Sequence, residues 1–413
     1  MTLNRAATYH IYARKTMLRS QFARHIRSIC CFSFAGAFAG AIVTSPVTAA
    51  TAKPPLELAD QGYFYVGGHY QGDANGQRMT GQMFVQYEVP QVIKHPYPII
   101  MVHGTDQTGT NYLGTPDGRR GWADYFVARG YTVYVVDQVG RARSGQYPSA
   151  YGTYTRFAAL PVEQMFTAPE RSRLWPEASL HTQWPGGPGV VGNPTFDQFM
   201  ASQVESIADV PETEAINADA AAALLDRIGP AILLTHSQSG TIGWKIADER
   251  PRLVKAVVAV EPNGPAFYDP TFTGGADWYH YGKKAERPWG ITRVPLTYDP
   301  PVTDPSQIAR VEQKKAEGPG LVRCWLQAQP ARKLPNLSGI PIAIVTSEAS
   351  FRATYDQCTS EYLTQAGVPN THLRLADLGI HGNGHMMMLE KNSDVIAGVM
   401  ADWLDKNVGG TSQ

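Results

Sequence analysis

The feature that most constrains the fold is a series of six short apolar runs that alternate with amphipathic segments of helical length. Apolar runs of four to seven residues are typical of strands buried on both faces, and their alternation with helices predicts a parallel sheet with right-handed crossovers. We therefore expect an α/β fold with a mostly parallel central sheet and helices on both of its faces. The predicted strands are Ile99–Val102, Tyr131–Val136, Ala231–Thr235, Val254–Val260, Pro341–Thr346 and His372–Leu375, and the predicted helices are Trp122–Arg129, Glu205–Ile228, Thr241–Arg250, Tyr355–Ala366 and Ser393–Leu404.

Two extended stretches precede this alternation, Gly62–Tyr70 and Met79–Val89. They flank the turn-forming residues Asp73-Ala74-Asn75-Gly76, so they predict an antiparallel hairpin at one edge of the sheet.

Two long segments interrupt the alternation, and each follows a predicted strand. Residues 141–204 contain seven prolines and nine aromatic residues, and residues 262–339 contain eleven prolines and nine aromatic residues. Long aromatic-rich loops at the carboxyl ends of parallel strands are typical of lids and binding loops. We therefore predict one domain over residues 53–413, in which these two insertions form a cap.

The first 52 residues have the composition of a signal peptide. Six basic and no acidic residues occupy positions 1–28, a 15-residue apolar run covers Ile29–Val43, and small residues follow. The run is shorter than the roughly 20 residues that span a bilayer, so we expect cleavage, no stable membrane anchor and a secreted or periplasmic protein. The 36 basic and 36 acidic residues balance, which excludes the strongly basic surface of a nucleic-acid binder.

The segment around Ser237 carries the pattern of a nucleophile on a sharp turn between a strand and a helix. A buried apolar run leads into Ser237, and small residues precede and follow it at Thr235 and Ser239, where glycine is commonest. Such a site needs two donors for a developing oxyanion. We expect them to be the backbone N–H groups of Gln238 and of Thr105, which follows the first central strand.

A histidine near the C-terminus is expected to act as the base, and a carboxylate at a strand end is expected to orient it. Both His385 and His381 lie in the loop after the last predicted strand. His385 is the preferred base because a helical stretch is expected to follow it directly, and His381 is the alternative. Glu261 is the preferred acid, since it directly follows the run Val254–Val260. Glu348, which follows the next strand, is the alternative acid.

No motif in the chain predicts a metal or a cofactor. The eleven histidines include no H-E-x-x-H pattern, and the glycine-rich stretch at residues 186–189 lacks the lysine of a phosphate-binding loop. We therefore predict no cofactor and no metal.

Taken together, these motifs resemble the α/β-hydrolase superfamily over residues 60–407, and more narrowly a group of secreted bacterial esterases with a glutamate after the sixth strand. The resemblance rests on His236–Gly240, on Val260-Glu261-Pro262 and on Gly382–Met388. In one relative of that group two adjacent cysteines occupy the oxyanion loop. This chain has Thr105-Asp106 there, so special properties of that loop are not expected.

The resemblance implies a serine carboxylic-ester hydrolase that acts through a Ser-His-Glu triad and an acyl-enzyme. The aromatic insertions and the zero net charge favour small or medium uncharged esters with an apolar or aromatic part. The alternatives are a lactonase, amidase or acyltransferase on the same fold, or a non-catalytic binding protein. The sequence is also compatible with a homodimer.

Two cysteines remain once the predicted signal peptide, with Cys30 and Cys31, is removed. In an oxidising compartment Cys324 and Cys358 are expected to form a disulfide between the cap and the core. The alternative is that each is buried as a free thiol.

Overall fold

The computed structural model describes residues 55–408. The predicted signal peptide over residues 1–52, including Cys30 and Cys31, lies outside the described residues.

Within the described residues, eight strands form the central sheet. In chain order they are β1 (Leu58–Gln71), β2 (Arg78–Pro90), β3 (Ile99–Val102), β4 (Val133–Asp137), β5 (Ala231–His236), β6 (Val254–Val260), β7 (Ile342–Thr346) and β8 (Thr371–Arg374). Their order across the sheet is β1-β2-β4-β3-β5-β6-β7-β8. The β1–β2 and β2–β4 pairs are antiparallel and all other pairs are parallel, so the predicted fold class is confirmed.

The central strands are apolar throughout because each packs against a core on both faces. In β3, Ile100 and Val102 belong to one hydrophobic core, whereas Ile99 and Met101 belong to the core on the opposite face. This alternation follows from the two-residue period of a strand, and all four side chains are buried. Burial on both faces explains why these runs have no polar alternation in the sequence.

Helices cover both faces. The six longer helices are α1 (Trp122–Ala128), α2 (Pro194–Ala201), α3 (Val210–Ile228), α4 (Ser239–Glu249), α5 (Asp356–Gln365) and α6 (Ser393–Asn407). Buried residues of α3, α4 and α5 pack in one core, and those of α1 and α6 pack in the other. Shorter helical segments are Thr110–Leu113, Ala142–Ser144, Pro148–Tyr151, Ala159–Val162, Glu163–Thr167, Pro169–Ser172, Pro176–Leu180, Pro305–Gln307, Phe351–Thr354 and Leu375–Leu378. No helix of residues 55–408 is long and apolar enough to cross a membrane.

Helix α3 begins five residues later than predicted. The side chain of Asp209 accepts a hydrogen bond from the backbone N–H of Glu212, and Pro211 lies in the first turn. An aspartate cap followed by proline is a strong helix start. The residues just before it, Ser206–Ile207, instead pair antiparallel with Tyr154–Thr155 in the first insertion.

Apart from α2, the two insertions contain only short segments of regular structure. In the second insertion, Pro270–Phe272 pairs with Tyr279–Tyr281, and Arg310–Glu312 pairs with Trp325–Gln327. The predicted disulfide is present: Cys324 bonds to Cys358 of α5, with Cα atoms 5.2 Å apart. This bond attaches the second insertion to a helix of the core.

A buried histidine attaches the first insertion to the loop before α6. Nδ1 of His181 lies 3.0 Å from a carboxylate oxygen of Glu170, and Nε2 lies 2.8 Å from Glu390. Glu390 also accepts a hydrogen bond from the backbone N–H of Gly384, the residue before His385. Burial alone would lower the pKa of His181, but its hydrogen bonds to the two glutamates outweigh burial and raise that pKa to about 9.

This raised pKa predicts a pH-dependent stability. The folded protein holds the His181 proton more tightly than the unfolded chain, whose histidine pKa is about 6.5. The stabilisation is therefore complete below about pH 6.5 and is lost as the pH rises through about 9. The free energy of unfolding of the wild type, measured in urea, should decline as the pH rises over this range. In His181→Gln this decline should be smaller. The exposed His69, changed to Gln, is the control and should keep the wild-type slope. Equal slopes for His181→Gln and the wild type would contradict the assignment.

Candidate active site

Ser237 lies at a strained turn between β5 and α4. Its φ angle is 56°, in the left-handed region that non-glycine residues seldom adopt. The surroundings leave no room for larger neighbours: a Cβ added at Gly104 would lie 3.1 Å from Cβ of Ser237, and one added at Gly240 would lie 2.5 Å from Cβ of Pro262. The loop after β3 and the segment after β6 thus approach the serine turn closely.

Ser239 occupies a position where glycine is commonest, and its hydroxyl forms hydrogen bonds that hold the turn. Its Oγ donates a hydrogen bond to the carbonyl of Val102, at 2.7 Å, and accepts one from the backbone N–H of His236, at 2.8 Å. These bonds join the turn to the end of β3, where the next loop begins.

His385 contacts Ser237 directly. Its Nε2 lies 2.9 Å from Oγ of Ser237, and the imidazole is buried. Burial, together with the positive charge of Arg352, lowers the pKa of His385 well below its ordinary value. The ring is therefore neutral at neutral pH and its Nε2 can accept a proton. A turn rather than a helix follows His385, and α6 begins only at Ser393.

Glu261 lies on the other side of His385. Its Oε2 is 2.5 Å from Nδ1 of His385, and the carboxylate is completely buried at the end of β6. Burial raises the pKa of Glu261, while hydrogen bonds from Ser347 and Ser350 oppose that rise. The backbone N–H of Ser347 donates to Oε1 at 2.9 Å and the hydroxyl of Ser350 donates to Oε2 at 2.7 Å. Three residues from two loops, Ser347, Ser350 and His385, thus surround one carboxylate.

The alternative base and the alternative acid lie together in a different place. Nδ1 of His381 is 2.9 Å from Glu348, whose second oxygen accepts a hydrogen bond from the N–H of Gly382. His381 is exposed. Among the hydrogen bonds of the described residues, neither side chain reaches Ser237 or His385.

The loop after β3 lies against the serine turn. His103 is buried, its Nδ1–H donates to the carbonyl of Gly104, and its Nε2 accepts from the N–H of Gln138 at 3.0 Å. Burial lowers the pKa of His103 to about 3, which keeps the ring neutral. Within residues 55–408, no backbone hydrogen bond uses the N–H of Thr105 or of Gln238.

A buried arginine joins the two segments that carry these N–H groups. Nη1 of Arg141 donates to the carbonyl of Gly104, and Nη2 donates to the side-chain oxygen of Gln238, each at 2.6 Å. Burial lowers the pKa of Arg141 to about 10, so it remains a cation at neutral pH. The C=O and N–H of a trans peptide point in opposite directions. The bond to Gly104 therefore turns the Thr105 N–H away from Arg141.

A cavity of about 460 Å³ opens beside Ser237, and Thr105 and Gln238 also line it. Both insertions and the stretch after β7 contribute to its wall, which includes five aromatic side chains. The aromatic residues of the wall are Phe157, Phe166, Phe272, Phe351 and Tyr355. The rings of Phe166 and Phe351 also lie 5.1 and 4.8 Å from the ring of His385, measured between centroids.

Arg352 is a charged residue of this wall that no pattern in the sequence indicates. It is 5% exposed, and its Nη2 lies 3.5 Å from Oγ of Ser237. A lone arginine after a strand has no local pattern that marks it as functional, and the same holds for Arg141. Ser347 and Ser350 did have a signal, since they follow the predicted strand that ends at Thr346.

The described residues contain no group of histidine, cysteine, aspartate or glutamate side chains arranged to hold a metal ion. At Ser237 a hydroxyl, an imidazole and a carboxylate lie in line, with two backbone donors and two arginines nearby. This arrangement suits proton transfer from a serine and stabilisation of an oxyanion.

Comparison with known proteins gives the family. Residues 99–399 match the model of the alpha/beta hydrolase family. The probable secreted lipase phiG of Fungal sp. (strain ATCC 74256) is 46% identical over 344 residues, which are 83% of this chain and 89% of that protein. The atomic-resolution structure of a novel bacterial esterase has a TM-score of 0.57 and 23% identity, and the match covers 86% of this chain and 98% of that one. The chain is a member of the alpha/beta hydrolase family.

Proposed function

We propose that this protein is a serine carboxylic-ester hydrolase in which Ser237 is the nucleophile, His385 the general base and Glu261 the acid of the triad. The observation that carries the proposal is the unbroken pair of hydrogen bonds, 2.9 Å from Ser237 to His385 and 2.5 Å from His385 to Glu261. The lipase and esterase descriptions of the similar proteins support the same reaction class.

The reaction proceeds in two halves. Oγ of Ser237 attacks the ester carbonyl while Nε2 of His385 takes its proton, and the tetrahedral intermediate collapses as His385 protonates the departing alcohol. A water molecule then attacks the acyl-enzyme, giving up a proton to His385, and the acid leaves as Oγ recovers that proton. Glu261 accepts a hydrogen bond from Nδ1–H of His385. This bond leaves Nε2 unprotonated, so that it can accept the serine proton, and it stabilises the imidazolium that forms.

The N–H groups of Thr105 and Gln238 form the oxyanion hole in this proposal. Both residues line the cavity beside Ser237, and no backbone partner within residues 55–408 occupies either N–H. Arg141 is a positioning residue, because its bonds to Gly104 and to the side chain of Gln238 hold both segments in one arrangement. Donors fixed before the reaction need not reorganise as the negative charge develops.

The substrate proposed here is a small or medium ester with an apolar or aromatic part. A volume of about 460 Å³ and an aromatic wall support this substrate class. The zero net charge and the aromatic insertions favour uncharged esters, but Arg352 adds a cation to the wall of the same cavity. The insertions at residues 141–204 and 262–339, each of which contributes aromatic side chains to that wall, form the proposed cap.

Secretion, or export to the periplasm, is part of the proposal. It is supported by the basic, apolar and small residues in order over 1–52, and by the Cys324–Cys358 disulfide, a bond that persists in oxidising compartments. The secreted description of the fungal relative agrees with it.

Removal of the nucleophile is the first test. Ser237→Ala should lower kcat for p-nitrophenyl butyrate by several orders of magnitude, because the members of a triad act as a unit. A serine-directed phosphonate should label the wild type and not this variant. The exposed Ser338, changed to Ala, is the matched control and should keep both the rate and the labelling. Retention of more than a few per cent of the wild-type kcat in Ser237→Ala would rule out Ser237 as the nucleophile.

Arg141→Lys tests the proposed oxyanion hole. Lysine can reach one of the two acceptors but cannot hold both as the planar guanidinium does. Loss of one oxyanion donor costs about 10²–10³ in kcat. Because lysine still reaches one of the two acceptors, we expect a smaller fall in kcat, about 10- to 100-fold, with little change in KM. Arg143→Lys is the control, because Arg143 pairs with Asp137 and is partly exposed. An increase in KM with kcat unchanged would show that Arg141 does not act through the oxyanion donors.

A further inference from the structure

Arg352 is a buried cation that has few short hydrogen bonds and no ion pair among the described residues. It follows β7 in the segment Phe351–Thr354, and its guanidinium lies 4.9 Å from the ring centroid of Phe351 and 5.3 Å from that of Tyr355. The aromatic rings and its 5% exposure remove it from most contact with water. A charge in such a place is costly unless an opposite charge or strong hydrogen bonds compensate for it.

The hydrogen bonds of Arg352 are few and mostly long. One is short, 2.5 Å from Nη1 to the hydroxyl of Tyr355. The contacts to Asn263, Gly264 and Ser237 span 3.3 to 3.5 Å, and the buried Nε has no hydrogen-bond partner within the described residues. Every one of these partners is a neutral oxygen atom.

Two other arginines with buried side chains have a carboxylate partner, whereas the buried Arg141 bonds to the neutral oxygens of Gly104 and Gln238. The completely buried Arg287 bonds to Asp269, and Arg293 lies 3.7 Å from Glu214. Asp269 also lines the cavity, but its ion pair with Arg287 already engages its charge. Over residues 55–408, Arg352 itself forms no ion pair. The guanidinium of Arg352 is therefore available to bind an anionic group that enters the cavity.

We propose that Arg352 is a specificity-determining residue that binds a carboxylate of the substrate, so that the preferred esters are half-esters of short dicarboxylic acids. This inference rests on the proposed ester hydrolysis and names its substrate class. A guanidinium binds a planar carboxylate with two parallel hydrogen bonds, and such charge-assisted bonds are about twice as strong as neutral ones. The apolar part of the ester occupies the aromatic wall.

The position of Arg352 limits where that carboxylate lies in the substrate. Its Nη2 is 3.5 Å from the atom that attacks the ester carbonyl. With N–H···O distances of about 2.8 Å, a carboxylate bound to Arg352 lies within about two or three carbon atoms of the scissile carbonyl. Succinate half-esters meet this requirement, and long-chain fatty esters, which have no carboxylate there, do not.

The experiment compares two esters that differ only in charge, monobenzyl succinate and the benzyl ester of succinamic acid. For the wild type we expect kcat/KM to be at least about tenfold higher for the carboxylate, and a tenfold ratio corresponds to about 1.4 kcal/mol. In Arg352→Gln the ratio should fall to about one or below. Arg129→Gln removes a partly exposed cation outside this cavity and should retain the wild-type ratio.

The ratio of the two kcat/KM values separates carboxylate recognition from a merely structural role of Arg352. Damage to the site would lower kcat/KM for both esters alike. A wild-type ratio of one or below, or an Arg352→Gln variant that keeps the wild-type ratio, would overturn the inference. If Arg352→Gln does not fold, binding to the Ser237→Ala variant decides the question. That variant should bind monobenzyl succinate at least tenfold more tightly than the amide, and equal affinities would overturn the inference. Failure of the proposed function is distinguishable, since the wild type would then hydrolyse neither ester.

Discussion

The hydrogen bond between His385 and Glu261 is the interaction on which the site depends. It joins residues 124 positions apart in the chain, and both side chains are almost completely buried. Burial disfavours the charged form of each group, so the pair needs further hydrogen bonds in order to hold a defined geometry. Ser347 and Ser350 supply them to the carboxylate. The parallel sheet makes this possible because it brings the ends of β5, β6 and β7 to the same edge.

The crowding around Ser237 follows from the same geometry. Gly104 and Gly240 have no space for a side chain, which allows the loops after β3, β5 and β6 to approach one another closely. Arg141 then connects two of these loops through charge-assisted bonds. Insertions after β4 and β6 add the aromatic wall, and His181 and the disulfide attach them to the core. In the proposed function, the strand ends at this edge carry out the chemistry and the attached insertions select the substrate.

Much of the fold could be predicted because burial leaves a clear pattern in the sequence. The runs Ile99–Val102 and Val254–Val260 match β3 and β6 residue for residue, since a strand packed on both faces must be apolar throughout. Glu261 could be named as a candidate because a carboxylate directly after such a run is unusual. Residues whose importance arises only from tertiary contacts could not be found this way. Arg141 and Arg352 are single arginines in irregular segments, and neither periodicity nor spacing indicates that they are buried beside the serine.

The insertions were hard to predict for a related reason. They have many prolines and little periodicity, so local sequence predicts neither the short strands nor their pairing. The late start of α3 is a milder case: Asp209 and Pro211 are both start signals, but the apolar pattern extends further towards Glu205.

The central claim, that Glu261 rather than Glu348 orients the base, is tested most directly by comparing kcat in Glu261→Gln and Glu348→Gln. A glutamine at position 261 keeps the shape but cannot stabilise the imidazolium, and loss of the corresponding carboxylate in a serine triad lowers kcat by about 10⁴. We expect a loss of that order in Glu261→Gln, with its thermal unfolding measured alongside. Glu348→Gln, which disturbs only the pair with the exposed His381, should stay within several-fold of the wild type. A large loss in Glu348→Gln together with an active, folded Glu261→Gln would contradict the account.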